Sequence, residues 1–398
     1  MKTVNFKEWF IAVFLINFCI NLGFCMSDAF FSIYYSGIGA TAILLGASAA
    51  SYQLSKIIFS RFIGMAVERY GLKSVLFFSL ALYSLVAVFF LFMQGLYVII
   101  VLRIIQGIAC ASFRPVIYGM LDSKVNSHSL DKGRSFGIFD ISFYAALAVG
   151  PCLGGLIKDM LGFRWLFIAL CILCAIAIAI NKYFIINDKY NFINENPVYS
   201  DENISKAEYS LYFFIMGKSV MLACMTIFFP IFLVNETHLS SLKVGIILAI
   251  PATMMSIFLK PMGDLADKET NGLFVFIGGI MTSTAYLLFP LIDSFNDAII
   301  FTAFCGFFSA MSQPSSVTLL LNNVSPNTSV EAVGRLNSVM GIGYAVGAFF
   351  CSILTKYVPI KDIFVNSGII GLVSMCSFIL FLNTKTFFFV TKWFVSKE

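Results

Sequence analysis

Charge is scarce in this 398-residue chain. Asp, Glu, Lys and Arg make up 12% of it against 59% apolar residues, and the mean hydropathy is +0.91. A soluble domain carries about 25% charged residues. Half that charge cannot cover a water-soluble body of this size, so a soluble globular enzyme is excluded. Histidine is scarcer still. His128 and His238 are the only two, both in expected loops, which argues against a zinc hydrolase or a Ser-His-Asp arrangement. No GxxxxGK[ST] loop occurs, so neither an ATP site nor a primary pump is expected. The ten cysteines all fall inside apolar runs, where free Cys behaves as a small hydrophobe. Cys171 and Cys174 form a CxxC without a second ligand pair, which reads as packing. No cofactor and no metal are expected, and a net charge of +5 calls for no nucleic-acid partner. Disorder is excluded by 45 Phe and 16 Tyr, too many buried-type side chains for an unfolded chain.

What the chain has is long apolar runs. Twelve can be marked, near 10–35, 42–63, 74–94, 97–118, 136–157, 164–185, 209–234, 242–262, 273–292, 297–320, 336–357 and 363–384. Roughly 20 apolar residues cross a bilayer as a helix, and continuous runs do not alternate as β-barrel strands do. The expected fold class is an all-α membrane protein of twelve transmembrane helices in two six-helix bundles, with the lipid bilayer around it. Lys2 and Lys7 precede the first run and no small-residue cleavage site follows, so that run reads as a retained span. Connections are short except for 187–208, which is polar, Asn-rich and carries a Pro. This linker separates an N-terminal bundle, 1–186, from a C-terminal one, 209–398. With the N-terminus inside, seventeen Lys and Arg fall in inner loops and tails and five in outer loops, so both termini are expected in the cytoplasm. Two repeated landmarks make each half one copy of a repeat. Gly64 and Gly263 open similar loops 199 residues apart, and Gly133-Arg134 and Gly334-Arg335 lie 201 apart.

The loop after span two carries Gly64, Glu68, Arg69, Gly71 and Lys73 in a GxLADRxGRK-like pattern, with Glu for Asp and Leu72 for the usual Arg. Gly263, Asp267 and Lys268 repeat its first half after span eight. Span four holds RxxQG as Arg103, Gln106 and Gly107. Span five carries Gly137, then Gly150-Pro151 and Gly154-Gly155, with Ala146 where one more Gly is usual. Span six opens Gly162-Phe163-Arg164-Trp165. In this order, on twelve spans, the motifs resemble the major facilitator superfamily and, within it, the twelve-span drug:proton antiporters. The resemblance covers the whole chain, with fewer motifs in the second half. It implies the major facilitator fold and, through the span-five pattern, export. Span one departs from it. The family often carries Pro beyond a Leu-Gly, whereas Leu22-Gly23 is followed here by Ala29 and Ser32 at those places.

The motifs also have a physical reading. Gly64 and Gly71 are expected to permit tight turns and close helix approach. Glu68, at a helix end, can pair with basic loop residues and with a neighbouring helix N-terminus. With Arg69, Lys73, Asp267 and Lys268 it would form a conformational latch, which the resemblance extends to Asp122. A plain solvated turn is the alternative. Gly150, Gly154 and Gly155 let helix backbones touch, and Pro151 is expected to kink its helix. Gly341, Gly343 and Gly347 imitate a nucleotide fingerprint, but they lie within a span with no preceding strand and read as packing.

Ionisable residues inside spans are costly and face a bundle interior or a cavity. Asn17, Asn21 and Asp28 fall within about 40° of one face of span one, expected to face the central cavity. Arg103 and Arg114 lie about 20° apart on span four. Asp28 and Arg103 share a depth, each about 10 Å inside the outer end. A carboxylic acid buried alone keeps its proton, whereas a neighbouring guanidinium favours the ionised form, and the balance moves with conformation. These two residues are the proton-coupling candidates, with a permanent structural ion pair as the alternative. Gln53, Lys56 and Ser60 share a face of span two, and Lys56, Arg114 and Asp140 share a layer nearer the cytoplasm. Arg114 either meets substrate or pairs with Asp140. Lys56 either faces the cavity or snorkels. Lys218 lies near mid-membrane, where snorkelling is hard. The candidate substrate contacts are Asn17, Asn21, Gln53, Lys56, Arg114, Lys218 and Gln313. Four intramembrane cations against two acids leave two positive charges uncompensated. Such charge is expensive, and a carboxylate- or phosphate-bearing substrate would neutralise it.

The expected activity is secondary transport by alternating access in the cell inner membrane, by a monomer. The direction expected is proton-coupled export, by antiport, of a small amphipathic or anionic molecule such as a drug-like compound or a metal-chelating metabolite. A proton-coupled importer of an organic anion is the alternative. A non-transporting sensor would call for a soluble signalling domain or long tail.

Overall fold

The computed structural model describes residues 6–93, 95–127, 132–185, 206–266, 271–324 and 329–381. These residues form thirteen α-helices and no strand. They are α1 (Phe6–Asp28), α2 (Phe31–Gly37), α3 (Ala42–Tyr70), α4 (Leu72–Phe92), α5 (Leu96–Ser127), α6 (Lys132–Leu161), α7 (Phe163–Phe184), α8 (Lys206–Asn235), α9 (Ser241–Ala266), α10 (Asn271–Leu287), α11 (Phe295–Asn323), α12 (Ser329–Leu354) and α13 (Ile360–Phe381). Counting α1 with α2 as one, eleven segments are long and apolar enough to cross a membrane. α10 has 17 residues. It rises about 26 Å, short of the roughly 30 Å hydrocarbon core, and a 3₁₀ turn at Phe289–Leu291 follows it. Each of the twelve apolar runs thus corresponds to helix.

The chain divides into two compact units, Met1–Glu195 with Pro230–Ala249, and Asn196–Phe229 with Ile250–Glu398. The boundary cuts α8 at Pro230 and α9 just before Pro251. In the first unit α1 packs on α6 and α7, α3 on α5, and α4 on α5 and α7. Ile16, Leu76, Leu80, Val116, Ile117 and Phe139 are among its core side chains. In the second unit α10 packs on α11 and α13, around a core that includes Phe214, Val275, Met375 and Phe378.

Lipid supplies little hydrophobic drive between helices, so close backbone approach at small residues holds them. Gly107 of α5 is pressed onto α3, where a Cβ would strike Ser55 Oγ and the Tyr52 carbonyl. Gly154 of α6 lies on the Met26 carbonyl of α1, and Gly150 on Cys25. Gly343 and Gly347 of α12 rest on Met216 and Val220 of α8, so this stretch is helix packing. Gly71 takes φ 81 and ψ 157 between α3 and α4, a region essentially closed to other residues.

Two expectations change. Gly64 makes neither a turn nor a close approach: it lies inside α3, and a Cβ there would meet nothing within 4 Å. Span one is not one helix. It breaks at Ala29 and Phe30, between α1 and α2, with Phe30 at φ −110 and ψ 4. No proline is involved. Ser27 Oγ bonds back to the Gly23 and Phe24 carbonyls at 2.9 and 3.1 Å, a pattern that bends helices. Pro151 lies buried within α6, which runs unbroken from Lys132 to Leu161.

One substitution at two glycines separates these environments. Gly107→Ala should destabilise the protein by about 1–3 kcal/mol through overpacking. Gly64→Ala should be neutral or stabilise by about 0.5–1 kcal/mol through helix propensity. Thermal unfolding in detergent measures both, and equal effects would contradict the packing described.

Candidate transport site

Arg103 is the most constrained charge in the first unit. Its side chain is 6% exposed, and Nη1 lies 2.8 Å from Asp28 Oδ1. The equal depths of the two residues on α1 and α5 thus correspond to a contact. Nη1 also donates to Gln106 Oε1 at 2.9 Å, and Gln106 Nε2 reaches the Tyr83 hydroxyl at 3.5 Å. The guanidinium lies 3.3 Å from the centroid of the Phe31 ring and 5.6 Å from that of Tyr52. Residues three apart face one side of a helix, which is why RxxQG puts the amide beside the guanidinium. Its Gly lets the α3 backbone close in and bring Tyr52 up. The spacing therefore seats the Arg103 guanidinium beside its counter-ion.

Next to this pair is a cavity of about 290 Å³ inside the first unit. Its polar lining includes Asn17, Asn21, Lys56 and Arg114, and its rings include Phe24, Tyr52, Phe113, Tyr118 and Phe143. Two cations and no carboxylate line it. Asn17 Nδ2 donates to Ser142 Oγ at 2.7 Å, and Asn21 Nδ2 donates to the Asn17 carbonyl and Oδ1 at 2.7 and 2.9 Å. The amides are thus fixed by α6 and by each other. Phe24 and Tyr52 stack with centroids 5.7 Å apart. Tyr52 faces both the cavity and Arg103, and so joins the two features. Asp140 accepts a hydrogen bond from the Tyr118 hydroxyl, while the Arg114 guanidinium lies 5.3 Å from the Tyr118 ring centroid. Tyr118 therefore touches both members of the Arg114–Asp140 pairing weighed from the sequence.

Other candidates lie elsewhere. Asp28 meets Arg103 and is not part of the cavity lining. Gln53 is half-buried on α3 and also outside that lining. Lys218 belongs to the second unit, where Nζ donates to Ser312 Oγ of α11 at 2.7 Å. Beside it Phe214, Met221, Gly279, Thr282 and Ser283 enclose a void of about 10 Å³. Gln313 is exposed on α11.

In the loop motif, Glu68 and Arg69 are exposed, and Glu68 has no cation within 4 Å among the described residues. Arg69 lies over the Tyr70 ring at 5.3 Å, and Lys73 Nζ donates to the Lys182 carbonyl at 3.1 Å. Gly263 is inside α9, where an added Cβ would come no nearer than 4.0 Å, to Pro314 Cβ. Asp267 and Lys268 lie outside the described residues, as do the side chain of Asp122 and all but the last three positions of the expected linker. Of the span-five motif, Gly150 and Gly154 meet α1, and Gly155 meets the Ser241 carbonyl of α9.

Sequence reasoning missed the aromatic walls, Ser142 and Tyr118. Tyr52 and Tyr118 each stand four residues from a predicted cation, Lys56 and Arg114. That is one helical turn, and it is the signal that would have found them.

The fold defines a multi-pass helical membrane protein with a cavity inside its first unit. The description of the Major Facilitator Superfamily matches residues 13–328 and 211–388, and the chain belongs to that family. It is therefore a membrane transporter and not an enzyme. An uncharacterised MFS-type transporter of Methanocaldococcus jannaschii is 22% identical over 370 residues, covering 91% of this chain and 95% of the relative. The quinolone resistance protein NorA of Staphylococcus aureus is 27% identical over 154 residues, 39% of each chain. Among solved structures, the nucleoside transporter NupG superposes with a TM-score of 0.79 at 12% identity, over 94% of this chain and 99% of that one. A bacterial homologue of the human lysosomal transporter Spinster gives 0.79 at 13% identity, over 96% and 98%.

Removing one partner of the ion pair strands the other. Arg103→Met should lose stability near the low end of about 3–5 kcal/mol, because Asp28 is 31% exposed. The double variant Asp28→Asn, Arg103→Met should recover at least half of the loss. Strict additivity in thermal unfolding would show that the two do not interact.

Proposed function

We propose that this chain is a proton-coupled exporter of a small amphipathic or anionic molecule. It acts as a monomer in the cytoplasmic membrane, with both termini inside and two six-span halves, 1–186 and 209–398, joined by the segment 187–208. The observation that carries the reading is the cavity in the first unit, whose lining holds Lys56 and Arg114 with aromatic rings and no carboxylate, next to the Asp28–Arg103 pair. The cations favour an anionic head group, since a guanidinium grips a carboxylate with two parallel hydrogen bonds. The rings favour an apolar or aromatic body.

Coupling follows from the pair. A proton that binds Asp28 turns the ion pair into a neutral acid beside a guanidinium held by Gln106 and the Phe31 and Tyr52 rings. The two charge states therefore favour different arrangements of α1 against α5, and a transporter needs such a bias to tie proton movement to a change of access. Export as the direction draws support from the Gly150-Pro151, Gly154-Gly155 pattern and from the partial likeness to NorA.

Proteoliposomes with an imposed pH gradient test the coupling. Asp28→Asn should lose proton-driven accumulation and keep substrate exchange at equal pH, and full proton-driven transport by that variant would remove Asp28 from the mechanism. Substrate charge is tested with salicylate as an aromatic carboxylate and ethidium as a lipophilic cation. Salicylate should bind and protect Cys25 and Cys110, which line the cavity, from maleimide labelling. Arg114→Ala should weaken that protection about tenfold. Equal protection by ethidium, unchanged in Arg114→Ala, would exclude an anion site.

A further inference from the structure

At the end of the first unit where α1 and α6 finish, a set of contacts grips the start of α9. The first amides of a helix have no partner within it. Here Asp159 of α6 supplies one, accepting from the Ser241 amide at 3.0 Å and the Leu242 amide at 2.8 Å. The carboxylate also suits the positive end of the helix dipole. Its neighbour Lys158 donates from Nζ to Ser241 Oγ at 2.7 Å. Gly155 and Gly245 bring the two backbones together, Gly155 against the Ser241 carbonyl and Gly245 against the Pro151 carbonyl. α9 thus begins under a clamp built by α6.

The clamp touches the break in span one. The Lys158 ammonium lies 5.6 Å from the Phe30 ring centroid and 4.9 Å from that of Phe163, within cation–π range. Phe30 is fully buried and stands at the break itself, two residues after Asp28. Phe31, the next residue, carries the Arg103 guanidinium on its ring at 3.3 Å. A two-residue interruption therefore has the ion pair on one side and the clamp on the other.

We propose that the Ala29–Phe30 break is a transmission element through which the charge on Asp28 sets the grip of Lys158 and Asp159 on α9. The inference rests on Asp28 as the proton-binding group. The titratable groups near Asp28 are Arg103, Tyr83 and Cys110 from α4 and α5, Tyr52 and Lys56 from α3, and Cys25 from α1. Of these, Arg103 makes the ion pair, and it alone also seats on the break. When Asp28 loses its charge, Arg103 is free to shift, and Phe31 shifts with it. At the break the Ala29 amide still bonds the Cys25 carbonyl at 3.3 Å and the Phe30 carbonyl accepts from the Tyr34 amide at 3.0 Å, fewer helical bonds than an unbroken turn carries, so the displacement reaches Phe30 before it spreads along the span. Phe30 then leaves Lys158, and the hold on Ser241 weakens. α9 continues past Ala249 into the second unit, so loosening its first turn frees a helix that both units share. Phe30, Phe31 and Lys158 are positioning residues in this scheme, not substrate contacts.

Hydrogen exchange at fixed pH, on the full chain in lipid nanodiscs, reads the clamp through a peptide containing Ser241 and Leu242. Asp159→Asn should speed its exchange directly. Asp28→Asn should also speed it, at least about threefold, and this response should vanish in a Phe30→Leu background. Lys158→Gln takes the place of Phe30→Leu should that variant not fold. Unchanged exchange in Asp28→Asn, with Asp159→Asn responding, overturns the transmission. An Asp28→Asn response that persists in both Phe30→Leu and Lys158→Gln overturns it as well. The two readings separate cleanly. Lost proton-driven transport with unchanged α9 exchange sinks the transmission alone. Retained transport with accelerated exchange sinks the coupling role of Asp28 and leaves the transmission standing.

Discussion

A guanidinium inside a bilayer-spanning bundle must be neutralised, and in this chain that requirement falls on Asp28. The cost of burying an unpaired ion there is several kcal/mol, more than any single packing contact nearby can return. The surroundings of Arg103 follow from it. Gln106 stands one turn on and accepts its second hydrogen bond. Gly107 removes the side chain that would keep α3 away, so that Tyr52 can come near. The Phe31 ring offers its negative face. Phe31 stands three residues after Asp28, close to one helical turn, so the ring and the carboxylate both reach the guanidinium from the same side of span one, on either side of the break at Ala29 and Phe30.

The two units meet the problem of intramembrane charge differently. In the first, Lys56 and Arg114 line an aromatic-walled cavity without a carboxylate in the lining. In the second, Lys218 is closed in beside a void of about 10 Å³ and bonded to one serine hydroxyl. The sequence repeat relates the loops and the starts of spans five and eleven, but it does not extend to this chemistry. Under the proposed function the first unit carries the recognition and coupling groups. Within this unit Gly155 of the span-five motif meets the Ser241 carbonyl at the start of α9, the helix whose later part belongs to the second unit.

The sequence by itself determined the class, the spans, the family resemblance and the membership of the ion pair. These are legible because lipid leaves the backbone no partner but its own helix, so each apolar run must be helical, and because depth along a helix is a simple count of residues. That count matched Asp28 to Arg103 across 75 positions of sequence. Only the tertiary structure decided where span one breaks, which of the polar candidates share a chamber, and where Lys218 points. It also decided that Gly64 has open space while Gly107 has none, and that Asp159 caps a helix 82 residues away. The physical reason is the same in each case. Hydropathy fixes that a segment is buried in the membrane, but the direction a side chain faces and the room a glycine leaves are set by the neighbouring helix, which a one-dimensional pattern does not name.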